Sequence, residues 1–285
     1  MTSSTAPRAA DTPDHLARAP VRKSRQRIRL ENLAWQIAIA VVLLGLWEYA
    51  SERWISALLV SKPSRIAQTM WEWTVDGTYL RNIWVTLKAT LMGFAAGAIG
   101  GMLLGYITAT WRRVGEVLEP YVTAFYTLPR LALAPLFLMW FGLGMEFRVV
   151  FAATIVFFLV YYNTYFGVRE VSNELLAAVR IMGASRLQLA LRVVIPSALV
   201  WVAAGLKISV PYALVGVVVA EMLAADEGVG FLLSKSASQF ATYGTFAAIA
   251  ALLVMALLID WLLNLLTRRA LRWRTAGSAG QQQQQ

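Results

Sequence analysis

Hydrophobic residues in this chain fall into long unbroken blocks, not into the two- or three-residue rhythms of a half-buried strand or a surface helix. Six blocks stand out, near residues 33–50, 84–108, 120–141, 147–167, 197–220 and 244–266. Each reaches about 18 residues or more, the length at which an apolar stretch reads as a bilayer-crossing helix. Gly142-Leu143-Gly144 divides one long apolar stretch into the third and fourth blocks. Pro196 opens the fifth, and Tyr243-Gly244 opens the sixth. The predicted fold is an all-α membrane protein with six transmembrane helices. Between the first two blocks lies a semi-polar segment, 51–83. Trp54, Trp71 and Trp73 suit an interfacial position there. Ile66, Met70 and Trp73 recur at helical spacing, which leaves two readings, an amphipathic surface helix or a packed extracytoplasmic loop.

The polar connection between the fourth and fifth blocks, 170–196, is long for a link between packed helices. It carries Arg180, Arg186 and Arg192, a glycine at 183 where one helical stretch ends, and Pro196 where the next span is expected to begin. This pattern predicts a helical hairpin at the membrane surface, offered to a partner outside the bilayer. The domain organisation follows. Residues 1–30 form a basic tail expected to be disordered, 31–270 a single six-helix domain, and 271–285 a second disordered tail ending in five glutamines. No cleavable secretory signal is evident, so the first block is expected to remain as an anchor.

Composition agrees with this class and narrows the chemistry. The chain is 58% hydrophobic and 15% charged, with mean hydropathy +0.57, against about a quarter charged in a soluble domain. The net charge of +10 sets an orientation. With the N-terminus inside, the inner segments carry fifteen Lys and Arg and the outer ones six, so both termini are expected in the cytoplasm. The acidic group Glu221, Asp226 and Glu227 is then an outer loop. The arginines flank apolar blocks and line no single face, which argues against nucleic acid as a partner. There is no cysteine, and the lone histidine, His15, lies in the tail. No metal site, catalytic residue set, cofactor or phosphate-binding GxxxxGK[ST] loop can be assembled. An enzyme is not expected.

Several residues inside the blocks invite more than one reading. Gly93, Gly97, Gly101 and Gly105 share one face of the second span. Such a face lets another backbone approach closely, either within the subunit or across a moving or dimer-forming seam. Pro129, Arg130 and Pro135 interrupt the third span: either a broken helix lining a solute path, or a bent helix whose arginine snorkels to an interface. Lys207 lies eleven residues beyond Pro196, near mid-bilayer at helical rise. It either meets an anionic solute or pairs with a nearby carboxylate or carbonyl. Pro211 and Gly216 mark a further expected kink, and Asp260 is expected to pair or to lie near the inner headgroups.

Gly183 is followed after nine residues by Val193-Val194-Ile195-Pro196, and preceded by Ala177-Ala178-Val179. This resembles the signature of the membrane subunit, or permease, of bacterial binding-protein-dependent ABC importers: Glu-Ala-Ala, three residues, Gly, nine residues, Ile-x-Leu-Pro. Ala177 stands where that signature has glutamate, and Glu174 lies three residues earlier. Leu128-Pro129-Arg130-Leu131-Ala132-Leu133-Ala134-Pro135, Trp140-Phe141-Gly142-Leu143-Gly144, and Glu221 followed by Gly228-Val229-Gly230 are similar to the nitrate, sulfonate and taurine branch. So is Lys62-Pro63-Ser64. The resemblance covers about residues 40–270. It implies a type I importer permease fold in the bacterial inner membrane. It also implies coupling helices that include Glu174, Ala177, Ala178, Gly183, Ala184, Ser185, Arg186, Ile195 and Pro196 and dock on a separate ABC ATPase subunit. An extracytoplasmic substrate-binding protein and a second permease subunit, expected as a homodimer, complete the assembly. The solute it implies is a small anion, with a pyrimidine vitamin precursor or riboflavin as the alternative. An ion-coupled carrier acting alone would need intramembrane carboxylates and repeated halves, and neither is seen.

Overall fold

The computed structural model describes residues 25–51, 53, 54, 56 and 59–270; most of the expected N-terminal tail and all of the C-terminal one lie outside the described residues. The first helix, α1 (Arg25–Ala50), begins inside the stretch expected as tail. It is followed by α2 (Pro63–Val75), α3 (Thr78–Thr110), α4 (Arg112–Thr127), a 3-10 turn (Arg130–Leu133) and α5 (Ala134–Phe141). Then come α6 (Met145–Arg169), α7 (Asn173–Ile181), α8 (Arg186–Leu189), a π-helical turn (Ala190–Val194), α9 (Ile195–Ala224), α10 (Val229–Ser238) and α11 (Thr242–Ala270). Two units are distinguished, one up to Trp47 and one from Glu48 onward. Among the described residues five helices are long and apolar enough to cross a bilayer, and the bent pair α4–α5 makes a sixth.

Helix α6 is the central element of the second unit, packed between α3 and α9. Lipid tails are as apolar as leucine, so close backbone approach must supply the attraction between spans. The glycine face of α3 provides it. A Cβ on Gly97 would lie 2.5 Å from the Ala153 carbonyl oxygen, and one on Gly101 2.5 Å from that of Phe157. This face is filled by α6 of the same chain and is not free for a second subunit. Ala152 of α6, which faces Gly93 of α3, also meets Gly216 of α9. Pro211 is contained within α9, which continues past it to Ala224.

A second cluster joins Tyr79 of α3, Leu214 of α9, Val229 and Leu232 of α10, and Ala248, Ala251 and Met255 of α11. The Tyr79 hydroxyl donates to the Ala247 carbonyl at 3.0 Å. The segment expected as either surface helix or loop forms α2, with Ile66 buried and Trp71 exposed. Its first turn is held by the Glu48 carboxylate, which accepts from the Ser64 backbone N–H (3.0 Å) and hydroxyl (2.8 Å). A negative group at a helix N-terminus is favoured by the unpaired N–H groups there.

The structure redraws two boundaries. The third span is two helices bent by 82°. Leu128 and Pro129 are both extended (ψ 134° and 94°), so the ladder stops there and restarts at Arg130. Pro196 does not open the fifth span, because helix runs continuously from Arg186 to Ala224. Proline removes one N–H and crowds the carbonyl four residues back. The π turn before it widens the helix there, and the Ile195 N–H donates to Ala190, five residues earlier.

Candidate functional site

The hairpin between α6 and α9 is built by local chemistry. Ser172 caps α7, its hydroxyl accepting from the Leu175 N–H at 3.2 Å. Helix α7 ends at Ile181, and Gly183 turns the chain with φ +84°, a left-handed value that glycine adopts without a Cβ penalty. Ser185 then starts α8 with a reciprocal capping box. The Ser185 N–H donates to Gln188 Oε1 at 2.8 Å, and the Gln188 N–H donates to Ser185 Oγ at 3.3 Å. Glu174, Ala177 and Ala178 lie exposed on α7, and Ser185 and Arg186 are exposed on the return arm. Gly183 is exposed between them, with open space where a Cβ would point. Ala184, Ile195 and Pro196 are half-buried. The apolar side chains stand out most: Ile181 is 86% and Met182 84% exposed, and Leu187 and Leu191 are exposed further along the return arm. Large apolar groups clustered on an arginine-bearing loop mark a surface meant to be covered.

Pro129 and Arg130 sit at the break between α4 and α5. The Arg130 guanidinium lies over the rings of Tyr126 (5.1 Å) and Phe158 (5.0 Å), and its Nη2 donates to the Tyr126 carbonyl at 3.3 Å. Lys207 is exposed on α9, and Lys88, which the sequence reading passed over, is exposed on α3. Asp260 accepts from Asn264 at 2.8 Å.

The most ordered polar cluster was missed. Glu221, expected in an outer loop, and Arg148, at the edge of the fourth apolar block, lie inside α9 and α6 and are 1% and 2% exposed. The Glu221 carboxylate accepts from the Thr86 hydroxyl (2.9 Å) and the Gly230 N–H (2.8 Å), with Arg148 Nη1 at 4.0 Å. The Val229 N–H donates to Thr86 Oγ1 at 2.8 Å, and the Gly228 N–H to Asn82 Oδ1 at 2.6 Å. Arg148 also reaches Asp226 at 3.7 Å and Glu227 at 4.0 Å. The cluster pins the first turn of α10 to α3, α6 and α9. A Cβ on Gly228 would collide with the Glu221 carboxyl group, so the close approach requires glycine. The available signal was a single acid at the end of an apolar block, followed by Gly-Val-Gly.

Comparison with known proteins agrees with this architecture. Residues 101–272 match the family described as binding-protein-dependent transport system inner membrane component. The chain is 29% identical to the putative aliphatic sulfonates transport permease protein SsuC of Bacillus subtilis (strain 168), over 84% of this chain and 87% of that one. It is 31% identical to the riboflavin transport system permease protein RibX of Chloroflexus aurantiacus, over 90% of this chain and 98% of that one. Among solved structures it resembles an inward-facing MetNI methionine ABC transporter, with TM-score 0.59 and 17% identity over 66% of this chain and 94% of that one.

Proposed function

The chain belongs to the family of binding-protein-dependent transport inner membrane components, and from that premise we propose that its α7–α8 hairpin is the part gripped by a separate ATPase subunit. The observation that carries this is the exposed apolar patch of Ile181, Met182, Leu187 and Leu191, set among Arg180, Arg186 and Arg192. Closure of an ATPase pair on ATP would draw the hairpin with it. The continuous helix from Arg186 to Ala224 would carry that motion into the bilayer, tilting the spans between inward-open and outward-open states. The chain performs no reaction in this account; ATP is hydrolysed by its partner. An extracytoplasmic binding protein delivers solute, a second copy of the chain completes the pathway as a homodimer, and both termini face the cytoplasm.

The solute in this reading is a small anion such as an aliphatic sulfonate, taurine or nitrate. The likeness to SsuC supports it, as do two cations within the spans, Arg130 and Lys207, which with Pro129 line the path. The likeness to RibX keeps riboflavin, or a related pyrimidine compound, as the second reading. Ile181→Asp with Met182→Asp tests the docking surface. Co-purification of the ATPase should fall sharply and ATP-driven uptake should stop, while membrane levels of the chain stay normal. Full uptake by that double variant would refute the assignment.

A further inference from the structure

The surroundings of the half-buried Arg130 differ from those of the buried Arg148. Arg148 has three carboxylates within 4.0 Å; Arg130 has no ion pair among the described residues. Its guanidinium packs against two adjoining rings, Tyr126 of α4 and Phe158 of α6, whose centroids are 6.0 Å apart. Tyr162 adds a third ring, 4.9 Å from Tyr126 and edge-on to it, and its hydroxyl lies 3.3 Å from that of Thr123. Among the described residues the guanidinium makes one hydrogen bond, the long one to the Tyr126 carbonyl, and its buried Nε has no acceptor. A cation within a span is costly unless something balances it. Ring faces stabilise a guanidinium and fix its plane without consuming its N–H groups. The guanidinium therefore presents N–H groups that the described residues leave unused.

We propose that Arg130, held against Tyr126 and Phe158, is a transient receptor for the oxyanion head of a small organic anion, whose apolar stem lies against Tyr162. The inference rests on the transport reading above and adds the residue that reads the charge of the solute. An incoming sulfonate supplies the missing counter-charge and accepts from the unused guanidinium N–H groups, as planar, forked donors suit a tetrahedral oxyanion. A neutral solute offers neither. A contact made through a single guanidinium releases the anion readily, as passage along a path requires. An anionic lipid headgroup has the same chemistry as the solute head, so the test separates the two.

The complete importer (this chain with its ATPase and its delivery protein) is reconstituted in phosphatidylcholine vesicles, and uptake of radiolabelled butanesulfonate is measured per ATP hydrolysed. Arg130→Met should lower this ratio about tenfold or more. Arg130→Lys, charged but unable to stack in the same way, should lower it several-fold. An Arg130→Met ratio equal to that of the unaltered protein, at equal amounts of assembled complex, overturns the proposal. A fall seen only when the vesicles contain phosphatidylglycerol also overturns it, in favour of a lipid headgroup. ATP-driven uptake of riboflavin with none of butanesulfonate removes the anion site and leaves the transport reading standing. Absence of any ATP-driven uptake by the unaltered importer removes both.

Discussion

Gly97→Ala should loosen the seam between α3 and α6. A methyl group at Gly97 would stand 2.5 Å from the Ala153 carbonyl oxygen, 2.8 Å from the Val156 Cβ and 3.0 Å from the Phe157 nitrogen. Carbon and oxygen ordinarily meet near ~3.3 Å, and all three obstacles are backbone or Cβ atoms that cannot swing aside. The helices must separate by up to about 1 Å at this turn, a gap that forfeits a quarter to a half of each contact's attraction. Overpacking of this kind costs about 1–3 kcal/mol, while alanine returns up to ~1 kcal/mol over glycine in helix propensity. The net expectation is a loss of about 1–2 kcal/mol. Gly100→Ala is the matched control: its methyl group meets only the edge of the Phe157 ring, at 3.3 Å, and the ring can shift. That variant keeps the propensity gain and should match the parent or exceed it by up to about 1 kcal/mol. Thermal midpoints of the purified chain in detergent, followed by fluorescence-detected size exclusion, compare the two. Equal midpoints, or a higher one for Gly97→Ala, would refute the reasoning.

At Gly183 no atom opposes a side chain, so substitutions act through backbone conformation alone. Uptake should rank Asn above Ala, which costs about 1–2 kcal/mol in the left-handed region, and Ala above Pro, whose ring fixes φ near about −65°; a proline variant with normal uptake at matched membrane levels contradicts this. Glu221→Ala leaves the buried Gly230 N–H and Thr86 hydroxyl without their acceptor and leaves Arg148 only its longer contacts to Asp226 and Glu227, and should cost about 2–4 kcal/mol. Arg148→Met should cost less, because Glu221 keeps Thr86 and Gly230 as donors; the reverse order of melting temperatures would sink the account. Ser185→Ala removes the α8 cap, worth ~1 kcal/mol, and should speed amide exchange at residues 185–189 only, so faster exchange deep in α9 counts against it.

The spans were legible because lipid leaves no alternative to an apolar run, and the α7–α8 hairpin because its arginines, Gly183 and Pro196 break such a run in an unusual way. What stayed hidden has particular causes. Leu128 and Pro129 turn a kink into an 82° break through two extended residues, and Pro129 alone does not reveal the size of the bend. At Pro196 the reverse occurs: the π turn absorbs the missing N–H and the helix continues. Glu221 and Arg148 read as loop charges because each lies near the end of an apolar block. Their partners come from α3, α6, α9 and the start of α10, and those meetings exist only in three dimensions. Arg130 was visible as a cation in a span, but its ring faces come from a residue four positions earlier and from another helix.

In the proposed reading, solute passes along this chain only when a separate motor drives its hairpin. Solute accumulation in sealed vesicles, measured with the chain alone and again with ATPase, ATP and loaded delivery protein, tests it most directly. The account predicts accumulation against a gradient only in the complete system. Concentrative uptake by the isolated chain, with neither nucleotide nor companion proteins, would contradict it.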